Sequence, residues 1–248
     1  SGSDAGAARC SAVEHPDGWE LNGTKCFVTN GLEARVFVVF AVTDADNPKR
    51  RLSAFIVDKG IPGFSIGKVE KKLGIRASST VELIFEKAVI PRENLLGERG
   101  RGLRVALTTL DGGRIGVASQ ALGISQAAFE AARDYSRTRQ AFGGPISQFQ
   151  AIQWKLADMA VAIAAARLVT HRAAWLKQNG RPYDAEAAMA KMLASENSCR
   201  VVNMAMQVFG GYGYMMEYPI AELYADARVQ RIYGGTNEIM KELASRSM

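Results

Sequence analysis

The sequence predicts an α+β chain, with a β-sandwich or partly open barrel over residues 1–100 and an antiparallel bundle of the four-helix type over residues 101–248. Three observations predict it. Short β-rich runs separated by turn signals fill the stretch from Trp19 to about Pro91. Past Gly100-Arg101-Gly102 the apolar residues change to three- and four-residue spacings, the period of a helix. A chain of 248 residues, 48% of them hydrophobic, has enough apolar surface to give each half its own core.

The expected strands are Trp19-Glu20-Leu21, Lys25 to Thr29, Val36 to Thr43, Leu52 to Val57 and Val81 to Phe85. Asn22-Gly23, between the first two, is a two-residue hairpin signal because both residues tolerate positive φ. Pro62-Gly63 marks a later turn. The first helix is carried by Leu103, Ala106, Leu107 and Leu110 and then by Leu122, Ile124, Ala127, Ala128 and Ala131, to about Ser136. Gly143-Gly144-Pro145 breaks the chain, a second helix runs from about Ser147 to Lys177, and Asn179-Gly180 ends it. Asp184 is the expected N-cap of a third helix that passes through Ala187, Met189, Leu193 and Val201 to Phe209 and stops at Gly210-Gly211. A shorter helix from Tyr218 to Ala227 and a last one from Thr236 complete the bundle, and the alanines between Ala157 and Ala174 suit close packing.

Composition removes several function classes. The formal net charge is +6, but Lys and Arg are scattered, with only Lys49-Arg50-Arg51 and Lys71-Lys72 as short clusters, which argues against nucleic acid and fits a polyanionic coenzyme as well. The richest apolar run, Ala157 to Thr170, is broken by Arg167 and falls short of the roughly 18 residues of a membrane helix, so no membrane span is expected. Cys10, Cys26 and Cys199 are widely spaced and odd in number, which speaks against a disulfide framework or a zinc site and for a reducing compartment. His15, in a turn, and His171, in the alanine-rich helix, have no nucleophile or ligand pattern around them. Ser1-Gly2-Ser3-Asp4-Ala5-Gly6 lacks the basic and apolar regions of a signal peptide and reads as a cut inside a larger, non-secreted protein.

Several short segments carry candidate chemistry. They are Gly2-Ser3-Asp4, Phe27-Val28-Thr29-Asn30-Gly31, Leu110-Asp111-Gly112-Gly113-Arg114, Arg139-Gln140-Ala141-Phe142-Gly143 with Phe149-Gln150, Gln207-Val208-Phe209-Gly210-Gly211-Tyr212-Gly213, and Tyr233-Gly234-Gly235-Thr236-Asn237-Glu238. Read singly, each has a structural explanation: Gly-Ser-Asp is a loop, Phe27 an inward strand residue, Gly210-Gly211 a helix C-cap, Gly234-Gly235 a flexible turn. No G-x-G-x-x-G follows a strand, so there is no Rossmann fingerprint.

In this order and density the segments resemble the acyl-CoA dehydrogenase family, and the likeness covers nearly every residue. It implies the family's middle β domain and C-terminal helical domain, without the all-helical domain that opens family members. It also implies an FAD-dependent oxidoreductase of fatty acid (lipid) metabolism that converts an acyl-CoA thioester to the trans-2-enoyl-CoA. In that chemistry a carboxylate takes the α-proton, a hydride leaves the β-carbon, and the protein supplies orientation and electrostatics.

The resemblance assigns cofactor contacts to Ser3, Phe27, Val28, Thr29, Arg139, Phe142, Phe149, Gln150, Gln207, Val208, Phe209, Gly210, Gly211, Thr236 and Glu238. It has Phe27 pack on the flavin ring, Thr29 lie near N5 and O4, Arg139 and Phe142 reach a neighbouring subunit's flavin, and Gln207 to Gly211 approach the pyrophosphate or adenosine end. Substrate contacts fall on Ser3, Asp111, Arg114, Gly234 and Gly235, with the Gly234 N–H aimed at the thioester oxygen and Arg114 orienting carboxylates. Both positions where family members carry the base are glycine here, Gly234 in the closing motif and Gly113 immediately before Arg114, so no catalytic base is assigned. Ala141 stands where relatives place a hydroxyl. The implied partners are acyl-CoA, an electron-transferring flavoprotein as electron acceptor, and further copies of the chain in a homodimer or homotetramer. The implied location is the bacterial cytoplasm or mitochondrial matrix. A base-less FAD- and acyl-CoA-binding partner subunit, and a related flavin oxidase or monooxygenase, stay open as alternatives.

Overall fold

Alternation of buried and exposed side chains along the first half of the chain produces a sheet with one apolar face turned inward. In β3 (Val36–Val42), Phe37, Val39 and Ala41 enter the core while Val36 and Val38 face solvent. The computed structural model describes residues 2–246 and separates into two units, Ser1–Thr109 and Leu110–Met248. Helix α1 (Gly102–Thr138) begins in the first unit and continues in the second.

The first unit holds one seven-stranded sheet in the order β5-β6-β2-β1-β3-β4-β7. Besides β3 these are β1 (Ser11–His15), β2 (Gly18–Thr29), β4 (Leu52–Asp58), β5 (Phe64–Val69), β6 (Thr80–Ile90) and β7 (Leu95–Leu96). All pairings are antiparallel except that of β1 with β3. Phe37 on β3 and Phe64 on β5 are four strand positions apart, about 19 Å in a flat sheet, yet their ring centroids lie 5.4 Å apart. Trp19 on β2 meets Phe55 on β4 at the same centroid distance, 5.4 Å. The sheet therefore curls over its own core and, with β5 and β7 as its edges, does not close, the partly open barrel that the sequence predicts.

The expected hairpin at Asn22-Gly23 does not form. Strand β2 runs straight through it with a register irregularity between Leu21 and Gly23. Gly23, at φ +127°, lets β2 approach β1, since a Cβ there would stand 2.9 Å from the Cys10 Cα. The turn is instead Pro16-Asp17, closing the pair His15↔Gly18, so β1 is a strand that the polar segment Ser11 to His15 conceals. Strand β5 was likewise not expected, while Gly63, at φ +79°, makes the turn read from Pro62-Gly63.

The second unit is helical: the rest of α1, then α2 (Gln150–Gln178), α3 (Asp184–Phe209), α4 (Pro219–Ala227) and α5 (Asn237–Ser245). Helix α2 buries Met159, Ile163, Ala166, Ala173 and Leu176, and α3 buries Ala187, Ala194, Val201 and Ala205, the alanines among them letting helices pack closely. The N-cap of α3 is Tyr183 and not Asp184. Asp184 sits in the first helical turn, where its charge meets the positive end of the helix dipole without capping a backbone N–H by its side chain. Residues Ile146–Gln148 form a 3₁₀ turn, so α2 starts three residues later than the sequence suggests.

Between α1 and α2 the break at Gly143-Gly144-Pro145 proves to be a small hairpin, β8 (Gln140–Ala141) with β9 (Gly144–Pro145). Its two loop residues, Phe142 and Gly143, have φ of +51° and +87°, as a two-residue turn that follows strand twist demands.

Candidate functional site

The segment Tyr233 to Asn237 is a turn anchored at both ends, with two glycines between the anchors. Gly234 and Gly235 both take positive φ, +67° and +95°, a conformation that glycine adopts without a Cβ penalty. On one side the Tyr233 hydroxyl hydrogen-bonds Gln120 of α1. On the other, Thr236 caps α5 by accepting from the Ile239 N–H at 3.4 Å. A Cβ on Gly234 would lie 3.4 Å from Val117 Cγ2, and Val117 is one helical turn beyond Gly113 on the same face of α1. The two glycines singled out in the sequence thus face one patch of α1. Around an added Cβ at Gly113 no atom of the described residues lies within 4 Å apart from its own chain neighbours and helix backbone, so neither position is blocked by them.

Beneath the turn, the Lys191 ammonium donates to the Gly235 carbonyl at 2.7 Å and to Asn237 Oδ1 at 2.9 Å. Lys191 is 0% exposed. Its pKa falls from the usual 10.5 to about 8, chiefly through burial and then through the Arg114 guanidinium, against which Glu238 and Glu196 pull upward. The unfolded chain keeps this lysine charged to about 10.4, so between pH 8 and 10.5 the unfolded state binds the extra proton and stability rises with pH. The cost of burying the charge is complete below pH 8 and is relieved above it. Urea titrations at pH 7 and pH 10 are expected to show wild type gaining stability relative to Lys191→Met over that interval; an unchanged difference would contradict the assignment.

Arg114 is 5% exposed and pairs with Asp111 one turn earlier on α1 at 2.5 Å, its Nε having no partner among the described residues. Burial raises the Asp111 pKa, Arg114 works against that, and Asp184 adds to it. Glu238, in the first turn of α5, is held below the ordinary carboxylate range by its own backbone N–H and by Thr236. It is an exposed, stabilised anion, which makes it a poor proton acceptor.

A second concavity lies where α3 ends. It is lined by Tyr135, Arg139, Phe209, Gly210, Gly211 and Tyr212, with the Arg139 guanidinium 5.6 Å from the centre of the Tyr212 ring. Gly210, at φ +61°, turns the chain, and among the described residues no atom beyond the chain neighbours lies within 4 Å of a Cβ added to Gly210 or Gly211, leaving bare backbone there. Val208 and Phe209 belong to the bundle core, where Phe209 stacks on Tyr135 at 4.3 Å, while Gln207 is exposed. Phe142 stands at the hairpin tip, 95% exposed, and meets Phe149 edge-on at 5.9 Å, next to the exposed Gln150.

In the first unit Phe27 is not an inward strand residue. It has φ +56° at an irregularity in the β2–β6 register between Lys25 and Val28, and its ring is 73% exposed. A bulky residue held in that region is strained, and the bulge re-aims its side chain outward. Thr29 is exposed and Val28 packs against the sheet core. Ser3 lies exposed in the loop before a 3₁₀ turn at Ala5–Ala7. Among the described residues no group of three or more His, Cys, Asp and Glu could hold a metal ion, and no helix is long and apolar enough to cross a membrane.

Sequence reasoning missed Lys191, Ser195 and the side chain of Asn237, which form one buried network. A signal was present: Lys191 shares the period of the buried Ala187, Ala188 and Ala194, and a lysine at a core position demands a partner.

Residues 1–88 match the family model for the acyl-CoA dehydrogenase middle domain, and residues 100–248 match that for the acyl-CoA dehydrogenase C-terminal domain. The mitochondrial short-chain specific acyl-CoA dehydrogenase of Rattus norvegicus is 54% identical over 241 residues, 97% of this chain and 58% of the relative. Butyryl-CoA dehydrogenase from Megasphaera elsdenii superposes with a TM-score of 0.98 at 47% identity, over 100% of this chain and 65% of that one. A chain from a structure concerning the electron-transferring flavoprotein of Acidaminococcus fermentans gives a TM-score of 0.98 at 50% identity, with the same coverage of 100% and 65%. The chain thus spans less than two thirds of the length of these relatives.

Proposed function

The chain belongs to the acyl-CoA dehydrogenase family, and from that premise we propose that it is the flavin- and thioester-binding part of an FAD-dependent enzyme acting on acyl-CoA, with a short acyl group as the first substrate to test. The observation that carries this reading is the turn at Gly234, a glycine at positive φ that keeps its backbone N–H and whose added Cβ would stand 3.4 Å from Val117 Cγ2, one helical turn beyond Gly113 on α1. An N–H fixed in a low-dielectric site stabilises negative charge as it develops on a thioester oxygen, which is what lets the α-proton leave.

The residues present fit FAD. Bare backbone at Gly210-Gly211 beside Arg139 suits a pyrophosphate, and the outward Phe27 offers a flat apolar face to a ring. FAD, when bound, supplies the acceptor for the hydride that leaves the β-carbon. Thr29 and Ser3, both exposed, are available as hydrogen-bonding groups for cofactor or thioester. Asp111 holds the Arg114 guanidinium, whose free Nε leaves one donor for an anionic or carbonyl group. The test is anaerobic addition of butyryl-CoA and its longer and branched analogues to the flavin-loaded intact protein. Bleaching of the flavin is expected, and none with any substrate refutes dehydrogenation.

The twin glycines favour a second reading, a subunit that binds flavin and thioester while another chain supplies the base. Thioester binding without bleaching distinguishes it. An electron-transferring flavoprotein is the proposed electron acceptor, and the mitochondrial matrix or bacterial cytoplasm the proposed location.

A second copy of the chain is the proposed partner of α2. Trp154, Val161, Leu168 and Trp175 recur every seven residues on the face away from the buried one, and Trp154 and Trp175 are 61% and 52% exposed. The stripe is symmetric about Ala164-Ala165, so a two-fold axis there sets Trp154 against the copy's Trp175 and Val161 against its Leu168, with small residues at the crossing. Replacing Trp154 and Trp175 together by Glu is expected to lower the mass in sedimentation velocity to a smaller assembly with the helical content unchanged. An unaltered mass rules this face out.

A further inference from the structure

Resting on the thioester reading of Gly234, we propose that Lys191 is a positioning residue of the active site: from α3 it holds the Gly235 carbonyl and the Asn237 side chain and thereby fixes the direction of the Gly234 N–H.

Two consecutive glycines at positive φ are intrinsically permissive backbone, and the turn has no side chain of its own at these positions to lock it. Its order must come from its anchors. Asn237, 1% exposed, is gripped by three residues of one helix: it accepts from Lys191 Nζ, meets Ser195 Oγ at 3.0 Å, and donates to Glu196 Oε1 at 2.9 Å. Lys191 alone also reaches past Asn237 to the carbonyl of Gly235, one residue from the N–H in question. Gly235 is further confined because a Cβ there would stand 2.7 Å from Met240 Cε. Tyr233, bonded to Gln120, anchors the other end.

A lysine is an expensive way to fill a core. No carboxylate oxygen lies in direct contact with its ammonium among the described residues; its two bonds go to a carbonyl and an amide oxygen. The charged groups around it are Arg114 on α1, Glu196 on α3, Arg231 before the turn and Glu238 on α5, cations and anions in equal number, so no net charge demands a cation there. For stability alone an apolar residue of similar length serves as well or better. What such a residue cannot do is donate to the turn. A displacement near 1 Å at a reacting centre costs on the order of 100-fold in rate, so a clamp on this backbone has a catalytic use that a packing contact lacks.

The test separates the clamp from the thioester reading. Hydrogen exchange on the protein without added acyl-CoA follows the amides of residues 233–237 in wild type, Lys191→Met and Lys191→Gln. Faster exchange confined to that segment in Lys191→Met, with partial recovery in Lys191→Gln and an unchanged cooperative melt, is expected. Unchanged exchange in Lys191→Met overturns the clamp. Should Lys191→Met fail to fold, Lys191→Gln decides by the same measurement, intermediate protection supporting the clamp and wild-type protection overturning it. Infrared spectra of bound butyryl-CoA labelled with ¹³C at the thioester carbonyl then read the consequence: a lowered stretch in wild type that returns toward its free value in Lys191→Met. A lowered stretch that survives Lys191→Met overturns the positioning role. No lowering in wild type refutes the thioester reading itself and, with it, the active-site role, while the exchange result still decides the clamp.

Discussion

Gly234→Glu is expected to raise turnover with acyl-CoA by roughly 1,000-fold, inside the 10²–10⁴ range of a positioned general base. The site accepts the Cβ: it would lie 3.4 Å from Val117 Cγ2, an ordinary contact, with no other atom of the described residues beyond the chain neighbours within 4 Å. The cost is an L-residue at φ +67°, about 1–2 kcal/mol of stability. Gly113→Glu carries no such cost, being helical and unobstructed, and approaches the same patch of α1 from within the helix. Single-turnover flavin reduction in both variants is the measurement. If both bind the thioester and neither reduces flavin faster than wild type, a missing base is not what limits this site. A gain in one variant alone identifies the direction from which the proton is taken.

Gly18→Ala is expected to cost at least about 3 kcal/mol and to unfold the β unit first, placing it among exceptional single substitutions. Gly18 has φ +145°, and an added Cβ would lie 2.0 Å from the Ile90 carbonyl oxygen, 2.8 Å from the Arg92 nitrogen and 2.9 Å from the Pro91 carbonyl carbon. All three are backbone atoms, so β2 and β6 must separate at Trp19↔Ile90, and Trp19 loses its place against Phe55. Gly60→Ala is the control, with φ +94° but nothing within 4 Å, and is expected to show only the conformational penalty. Equal denaturation midpoints for the two variants would show that the backbone contact at Gly18 yields without cost.

Helices α1 and α3 were legible because three- and four-residue spacings persist over many turns, with Gly102 opening α1 and Gly210 closing α3. Strands β3 and β4 were legible from their runs of β-branched and aromatic residues. Strand β1 was not, because Ser11 to His15 has only Ala12 buried and takes its place from pairing with β2 and β3, contacts remote from any local pattern. Asn22-Gly23 misled for the same reason: glycine records that something comes close or that φ is positive, and only the neighbouring strand shows which.

The sequence by itself determined the family, the order of the site segments and the absence of a carboxylate at Gly113 and Gly234, since those depend on residue identity and order alone. The tertiary structure decided that these two glycines face one patch of α1, that Phe27 points outward from a strained bulge, and that a buried lysine from α3 holds the turn. Residues far apart in the chain, such as Lys191 and Gly235, are joined only when helices pack, and the bond between them appears in no local pattern of either segment.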